Sequence, residues 1–169
     1  SYIEFIASQV ININWDKVYR YTRARIKWHK KQGHMIFFIS GAPDFLVEKM
    51  AEKYQVTAYK ATRYIVDENN NFTGEVVSMW DSENKQKAVN QLVNQYKVDL
   101  DASFSYGDTN GDLSMLKIVG NPVAVNPINK LLMAIKQDEK LYEKTTIIVE
   151  RKDLIYELSP SVKLIQLEN

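Results

Sequence analysis

The chain has no cysteine. That excludes disulfide scaffolds, thiolate metal sites and cysteine nucleophiles, and makes a reducing, cytoplasmic compartment the expected setting. Histidine is scarce too: His29 and His34 are the only two. Neither has a second metal ligand at helical or hairpin spacing, which argues against zinc. Charge of one sign is not in excess, with 22 Lys and Arg against 21 Asp and Glu. A general nucleic-acid or membrane-surface binder would concentrate positive charge, so neither partner is expected. The apolar run Met35-Ile36-Phe37-Phe38-Ile39 is far too short to span a bilayer, and no secretory leader is read at the start. What remains is ordinary globular material: 169 residues, 45% apolar and 25% charged, enough for one domain with a full core.

Periodicity divides the chain into alternating helices and strands. Apolar spacing predicts a short helix within residues 1–10 and a second over 16–32, with Asp16 as N-cap and Gly33 just past its end. Residues 35–39 are apolar on both faces, as in a parallel strand covered by helices. Ser40-Gly41-Ala42-Pro43 breaks that strand, and Pro43 opens a helix whose Leu46, Met50 and Tyr54 fall in line. Residues 64–79 read as a β-hairpin around the turn-rich stretch 67–71, projecting beside the buried sheet rather than lying in it. A helix over 83–96 aligns Ala88, Leu92 and Tyr96. A short strand at 104–106 ends at Gly107-Asp108. A helix over 113–119, a strand at 123–125, a helix opened by Pro127 and a strand at 147–149 follow. The expectation is a Rossmann-like, three-layer α/β sandwich with a mostly parallel sheet.

Ligands in such sheets bind beyond the carboxyl ends of the strands. Two strand ends carry polar, glycine-containing loops. Ser40-Gly41 offers a hydroxyl and backbone N–H donors ahead of a helix start, which suits a phosphate. Gly107-Asp108-Thr109-Asn110-Gly111-Asp112 presents two carboxylates four residues apart, and oxygen-rich coordination of that kind suits Mg²⁺. Lys85 and Lys87, on the intervening helix, could each neutralise a phosphoryl oxygen. Each element alone is weak; their conjunction at strand ends and a helix start is far more specific. Ser40, Lys85, Asp108 and Asp112 are therefore expected to converge at the carboxyl edge of one sheet.

The order Ser40, Lys85, Asp108, Asp112 resembles motifs two to four of the haloacid dehalogenase-like hydrolases, closest to the phosphoserine phosphatase-like branch. Gly33-His34, Phe37-Phe38-Ile39-Ser40-Gly41, Phe72-Thr73-Gly74-Glu75-Val76, Gly107-Asp108-Thr109-Asn110-Gly111-Asp112-Leu113-Ser114-Met115-Leu116 and Val123-Ala124-Val125-Asn126-Pro127 carry the likeness over about residues 15–135. The resemblance implies a Mg²⁺-dependent hydrolase of a small phosphomonoester, phosphoserine among the options, working through an aspartyl-phosphate. It implies that Ser40 and the Gly41 N–H bind phosphoryl oxygens and that Lys85 steadies phosphate and nucleophile, with Lys87 in reserve. Asp108 would bind Mg²⁺, Asp112 would hold the metal waters or its neighbours, and Asn110 or Gly111 would touch the phosphate side.

The family's Asp-x-Asp nucleophile motif is not found ahead of Ser40. Asp99-Leu100-Asp101 has the spelling but sits in a helix-to-strand connection and reads as a solvated loop pair. The first core strand is accordingly expected to be missing, with residues 1–14 the remnant of a helical cap, residues 15–169 an incomplete core domain, and the fragment by itself inactive. The basic helix carrying Arg20, Arg23, Arg25, Lys27, Lys30 and Lys31 reads as a solvated face, and Asp44 as a helix cap. A receiver-like signalling domain and a non-catalytic phosphate- or metal-binding module are the alternatives. The expected partner is a small phosphorylated metabolite.

Overall fold

The computed structural model describes residues 19–165. In chain order the elements are α1 (Arg20–Lys31), β1 (Phe37–Pro43), α2 (Asp44–Tyr54), β2 (Ala58–Val66), β3 (Phe72–Val77), α3 (Ser82–Tyr96) and β4 (Phe104–Gly107). A 3-10 turn (Asn110–Asp112) then leads into α4 (Leu113–Ile118), β5 (Asn121–Val125), α5 (Asn129–Gln137), α6 (Glu139–Lys144), β6 (Thr146–Glu150) and β7 (Ile155–Leu158). The helix expected over 1–10 and the Asp16 cap fall outside the described residues.

The strands form two sheets, ordered β1-β2-β3 and β4-β5-β6-β7. β1 pairs parallel with β2, and β4, β5 and β6 are mutually parallel; β3 and β7 add antiparallel edges. The layers are those of a Rossmann-like α/β fold. On one face Ile36 and Phe38 pack with Ile26 of α1, Val47 and Ala51 of α2, and Tyr106, Val123, Val125 and Ile148 from the second sheet. On the other, Phe37 and Ile39 meet Ala88, Val89 and Leu92 of α3 and Met115 of α4. Residues 36–39 are buried on both faces, which is why an unbroken apolar run is required there.

Four details depart from the sequence reading. β1 does not stop at Ile39 but runs on through Pro43, with its register slipping between Ile39 and Pro43. A strand can end in Gly and Pro where the ladder is already irregular. In α2 the residues facing the core are Val47 and Ala51, one position round from the expected stripe, while Leu46, Met50 and Tyr54 flank it half-buried. The hairpin is only in part a projection. β2 pairs with β1 from Ala58 to Thr62 and with β3 from Arg63 to Val66, so its base belongs to the sheet while β3 is exposed throughout. The turn is built by Asp67, whose carboxylate accepts the Asn69 and Asn71 N–H groups at 2.8 and 2.9 Å. Finally, α6 and β7 had no counterpart in the sequence reading. Among the described residues no helix is long and apolar enough to cross a membrane.

Candidate phosphate and metal site

Lys85 projects from the first turn of α3, whose N-cap Asp81 accepts the Asn84 N–H at 2.8 Å. It is the lysine carried inward: only 2% exposed, it donates to Asp112 Oδ1 at 2.7 Å. Lys87, two residues on, lies at the surface paired with Glu83. The other oxygen of Asp112 accepts the backbone N–H groups of Asp108 and Thr109 at 3.0 and 3.1 Å. One buried carboxylate thus closes the loop after β4 on itself and holds Lys85. Gly107 is required for this closure, because a Cβ there would stand 2.5 Å from the Asp112 Cβ. The Ile128 N–H, arriving from the loop after β5, donates to the Asp108 carbonyl at 2.9 Å. That places the segment around Asn126 and Pro127 against the same turn.

Asp108 itself is left open. It is buried, yet its Oδ1 has no hydrogen-bond partner, and the same holds for Asn110 Oδ1. Burial foremost, then the adjacent Asp112 carboxylate, push the Asp108 carboxyl up to about 7 against the pull of Lys85. A buried carboxylate oxygen without a partner, beside a second carboxylate, is costly unless a cation or a proton meets it. Among the described residues no three acidic or imidazole groups gather into a metal cage. Mg²⁺ needs none, since one or two carboxylates, substrate oxygens and waters complete its shell. The donor set is of a kind that fits Mg²⁺, with one open carboxylate oxygen on Asp108 and Asp112 already engaged on both oxygens.

Ser40 lies within β1, in the other sheet from the one whose β4 leads into Asp108. It is buried, and its Oγ accepts the Ala42 N–H at 3.2 Å. The two loops meet through a residue that the sequence reading passed over, Trp80. Its indole N–H donates to the Gly41 carbonyl at 2.9 Å, and its own carbonyl packs so closely on Gly111 that a Cβ there would come within 2.6 Å. An aromatic next to the N-cap of the lysine-bearing helix was the available signal.

The remaining candidates stay apart. Asp44 is not the cap expected of it: Pro43 holds the N-cap position, and Asp44, the first residue of α2, accepts the N–H of the adjacent Phe45. Asp99 and Asp101 are exposed in the turn before β4, with Asp99 accepting the Ala102 N–H, at the opposite end of that strand from Asp108. His29 and His34 are brought together, Nδ1 to Nδ1 at 2.9 Å, while His29 Nε2 meets the Tyr106 hydroxyl at 2.8 Å. Their contact, five residues apart across the end of α1, had no periodic signature.

A sequence model of the haloacid dehalogenase-like hydrolases matches residues 3–117. The chain belongs to that family. The haloacid dehalogenase-like chain is 30% identical over 132 residues to a phosphoserine phosphatase of Methanocaldococcus jannaschii, covering 76% of this chain and 56% of the relative. It is 29% identical over 124 residues to an inhibition of morphological differentiation protein of Streptomyces azureus, covering 73% and 45%. In structure it resembles a phospho-aspartyl intermediate analogue of phosphoserine phosphatase, with a TM-score of 0.58 at 26% identity over 78% of this chain and 58% of that one. These relatives put it in the phosphoserine phosphatase-like branch, and nothing among them supports a receiver-like domain. The chain spans about half the length of the two curated relatives described.

Proposed function

We propose that the protein is a Mg²⁺-dependent phosphatase of small phosphomonoesters, and that residues 40–41, 85 and 108–112 form its phosphate and metal half-site. The observation that carries this reading is the buried Lys85–Asp112 pair beside the unpartnered Asp108 oxygen. Lys85 spends one N–H on Asp112 and keeps two for an anion. Ser40 accepts from Ala42, so its own O–H is free to donate outward to a phosphoryl oxygen. Asp108 would hold the cation through Oδ1, while Asp112 orders the loop around it. Bound Mg²⁺ would supply Lewis-acid stabilisation of charge building on the phosphoryl oxygens. Asn110, with its buried side-chain oxygen, lies on the same turn.

The attacking carboxylate is assigned to an Asp-x-Asp strand outside residues 19–165, with an aspartyl-phosphate as its product. The first Asp displaces the alcohol from phosphorus as the second protonates the leaving oxygen. The second then activates water to release phosphate. Neither Asp99 nor Asp101 is placed for this, since the turn that holds them lies at the wrong end of β4. Phosphoserine is the first compound to try, because it is the substrate in the relatives' name. The decisive assay is p-nitrophenyl phosphate hydrolysis with Mg²⁺, comparing this chain with a protein extended to include such a strand. The expected result is turnover only by the extended protein. Equal turnover by both would place the nucleophile within these residues, and no turnover by the extended protein would sink the phosphatase reading.

A further inference from the structure

One peptide unit in the Ser40 loop is held at both ends. The Gly41–Ala42 peptide presents its carbonyl to the Trp80 indole N–H at 2.9 Å and its N–H to the Ser40 hydroxyl oxygen at 3.2 Å. A hydroxyl that accepts on one side has its proton directed elsewhere, so the orientation of this peptide fixes where the Ser40 O–H can donate. Trp80 has no hydroxyl, amide or charge to offer a substrate, and more than half of its surface is exposed. An exposed aromatic gains little from burial at such a place, which makes its directed hydrogen bond the notable feature. Trp80 also touches both strand-end loops. A Cβ at Gly41 would stand 2.9 Å from its Cδ1, and one at Gly111 2.6 Å from its carbonyl oxygen and 3.5 Å from Lys85 Nζ. No backbone ladder joins β1 to β4 among the described residues, and Trp80 stands between the two loops, its side chain against Gly41 and its main-chain carbonyl against Gly111.

We propose that Trp80 is a positioning residue of the phosphate site: its indole N–H holds the Gly41–Ala42 peptide and thereby aims the Ser40 hydroxyl at the phosphoryl group. The role rests on the reading of Ser40 as a phosphate contact. The test titrates the full chain with inorganic phosphate at saturating Mg²⁺ by calorimetry, and separately with Mg²⁺ alone. Losing one oriented hydrogen bond corresponds to roughly three- to tenfold in affinity. Trp80→Phe is expected to weaken phosphate binding by about that factor while leaving Mg²⁺ affinity unchanged, and Trp80→His, which keeps a ring N–H, is expected to recover part of the loss. Because Trp80 acts through Ser40, Trp80→Phe added to Ser40→Ala should change phosphate affinity less than about twofold further. Unchanged phosphate affinity in Trp80→Phe, or full multiplication of the two losses in the double variant, would overturn the role. A Trp80→Phe chain that loses Mg²⁺ and phosphate together, with Trp80→His doing the same, would show a purely structural residue and overturn it as well. Failure of the unsubstituted chain to bind phosphate would instead remove the Ser40 reading, and Trp80's role with it.

Discussion

The two loops of the site are held in opposite ways. The turn after β4 is braced from within: Asp112, itself buried, takes two backbone N–H groups of its own loop and the buried Lys85, with Asp108 buried and Thr109 half-buried. The end of β1 is braced from outside. Its ladder has slipped, residues 41–43 are half-exposed, and beyond the resumed pairing of Pro43 with Thr62 it is held by one bond to Ser40 and one to the exposed Trp80. A loop organised by its own buried carboxylate keeps its shape whether or not ligand is present. A loop held by a neighbour can adjust at little cost. The acidic turn is therefore the rigid half of the site and the serine loop the adaptable half, and substitutions should separate them: stability is lost in the first, ligand affinity in the second.

The sharpest break is Asp112→Ala. It strands Lys85 as an uncompensated buried charge and frees two backbone donors, a class of change that costs about 3–5 kcal/mol. Urea denaturation of the chain should show a fall of that size; a loss below about 1 kcal/mol would mean the turn is not held by Asp112. Next comes Asp108→Asn, which keeps the volume and removes the charge. In a catalytically complete form of the protein it is expected to lower phosphatase kcat by about a hundredfold or more, since metal clamping of a phosphoryl group supplies several kcal/mol. Asp101→Asn, in the exposed turn at the other end of β4, should change kcat less than about twofold. Equal losses would mean that the wrong acidic pair has been chosen.

The same contrast governs what could be read from the sequence. The acidic turn announces itself, because Gly107, Gly111 and the Thr109-x-x-Asp112 spacing are local demands of a tight turn that opens a helix. Helix pattern alone places both Lys85 and Lys87 on α3 without separating them; the family resemblance singles out Lys85, and the structure carries Lys85 inward against Asp112 and leaves Lys87 at the surface. The serine loop was legible in its residues and not in its support, since an exposed tryptophan ahead of a helix looks like any surface aromatic. Elsewhere the misses share one cause, tertiary context overriding weak local signals. Ala58–Thr62 carries Lys60 and Thr62, so nothing in its pattern says that it lies beside the buried β1. β7 is exposed over most of its length, and its apolar residues do not alternate against a core. In α2 a stripe more than 100° wide admits either neighbouring register, and contact with β1 selects Val47 and Ala51.

Two glycine substitutions put the comparison on equal terms. Gly107→Ala drives a Cβ to 2.5 Å from the Asp112 Cβ and 2.9 Å from its Cγ, atoms that are buried and cannot move without breaking the turn. Gly41→Ala meets the Cδ1 of an exposed ring at 2.9 Å, and that ring can swing aside. The expected cost is about 1–3 kcal/mol for Gly107→Ala and less than about 1 kcal/mol for Gly41→Ala. Gly41→Ala should nonetheless weaken phosphate binding, since the ring that yields is the one holding the peptide. Similar destabilisation by the two variants, measured by thermal or urea unfolding, would dissolve the distinction between a rigid and an adaptable loop.

The smallest effect tests whether the rigid loop is also supported from behind. The side chain of Tyr106, two residues before Asp108, is clamped beneath α1 by His29 Nε2 at 2.8 Å and Arg25 Nε at 2.9 Å. His29 is fully buried, and burial, with Arg25 and His34 adding, holds its imidazole down to about 3 from an ordinary 6.5. The folded protein therefore keeps His29 neutral, whereas the unfolded chain takes up its proton as pH falls through 6.5. The stabilisation is complete above that value and is lost progressively on acidification towards 3. Between pH 7.5 and 5.5 the His29 share is a loss of about 1 kcal/mol, opposed by Asp108, whose raised carboxyl takes up its proton first in the folded state, so it is read as the difference in urea-midpoint shift between the parent and a His29 variant. Its carrier is identified by His29→Gln, which cannot titrate: this variant should be less stable at pH 7.5, having weakened the Tyr106 clamp, yet should lose about 1 kcal/mol less than the parent on acidification. An unchanged pH slope in His29→Gln would assign the acid sensitivity to other groups and leave β4 without a titratable brace behind its acidic turn.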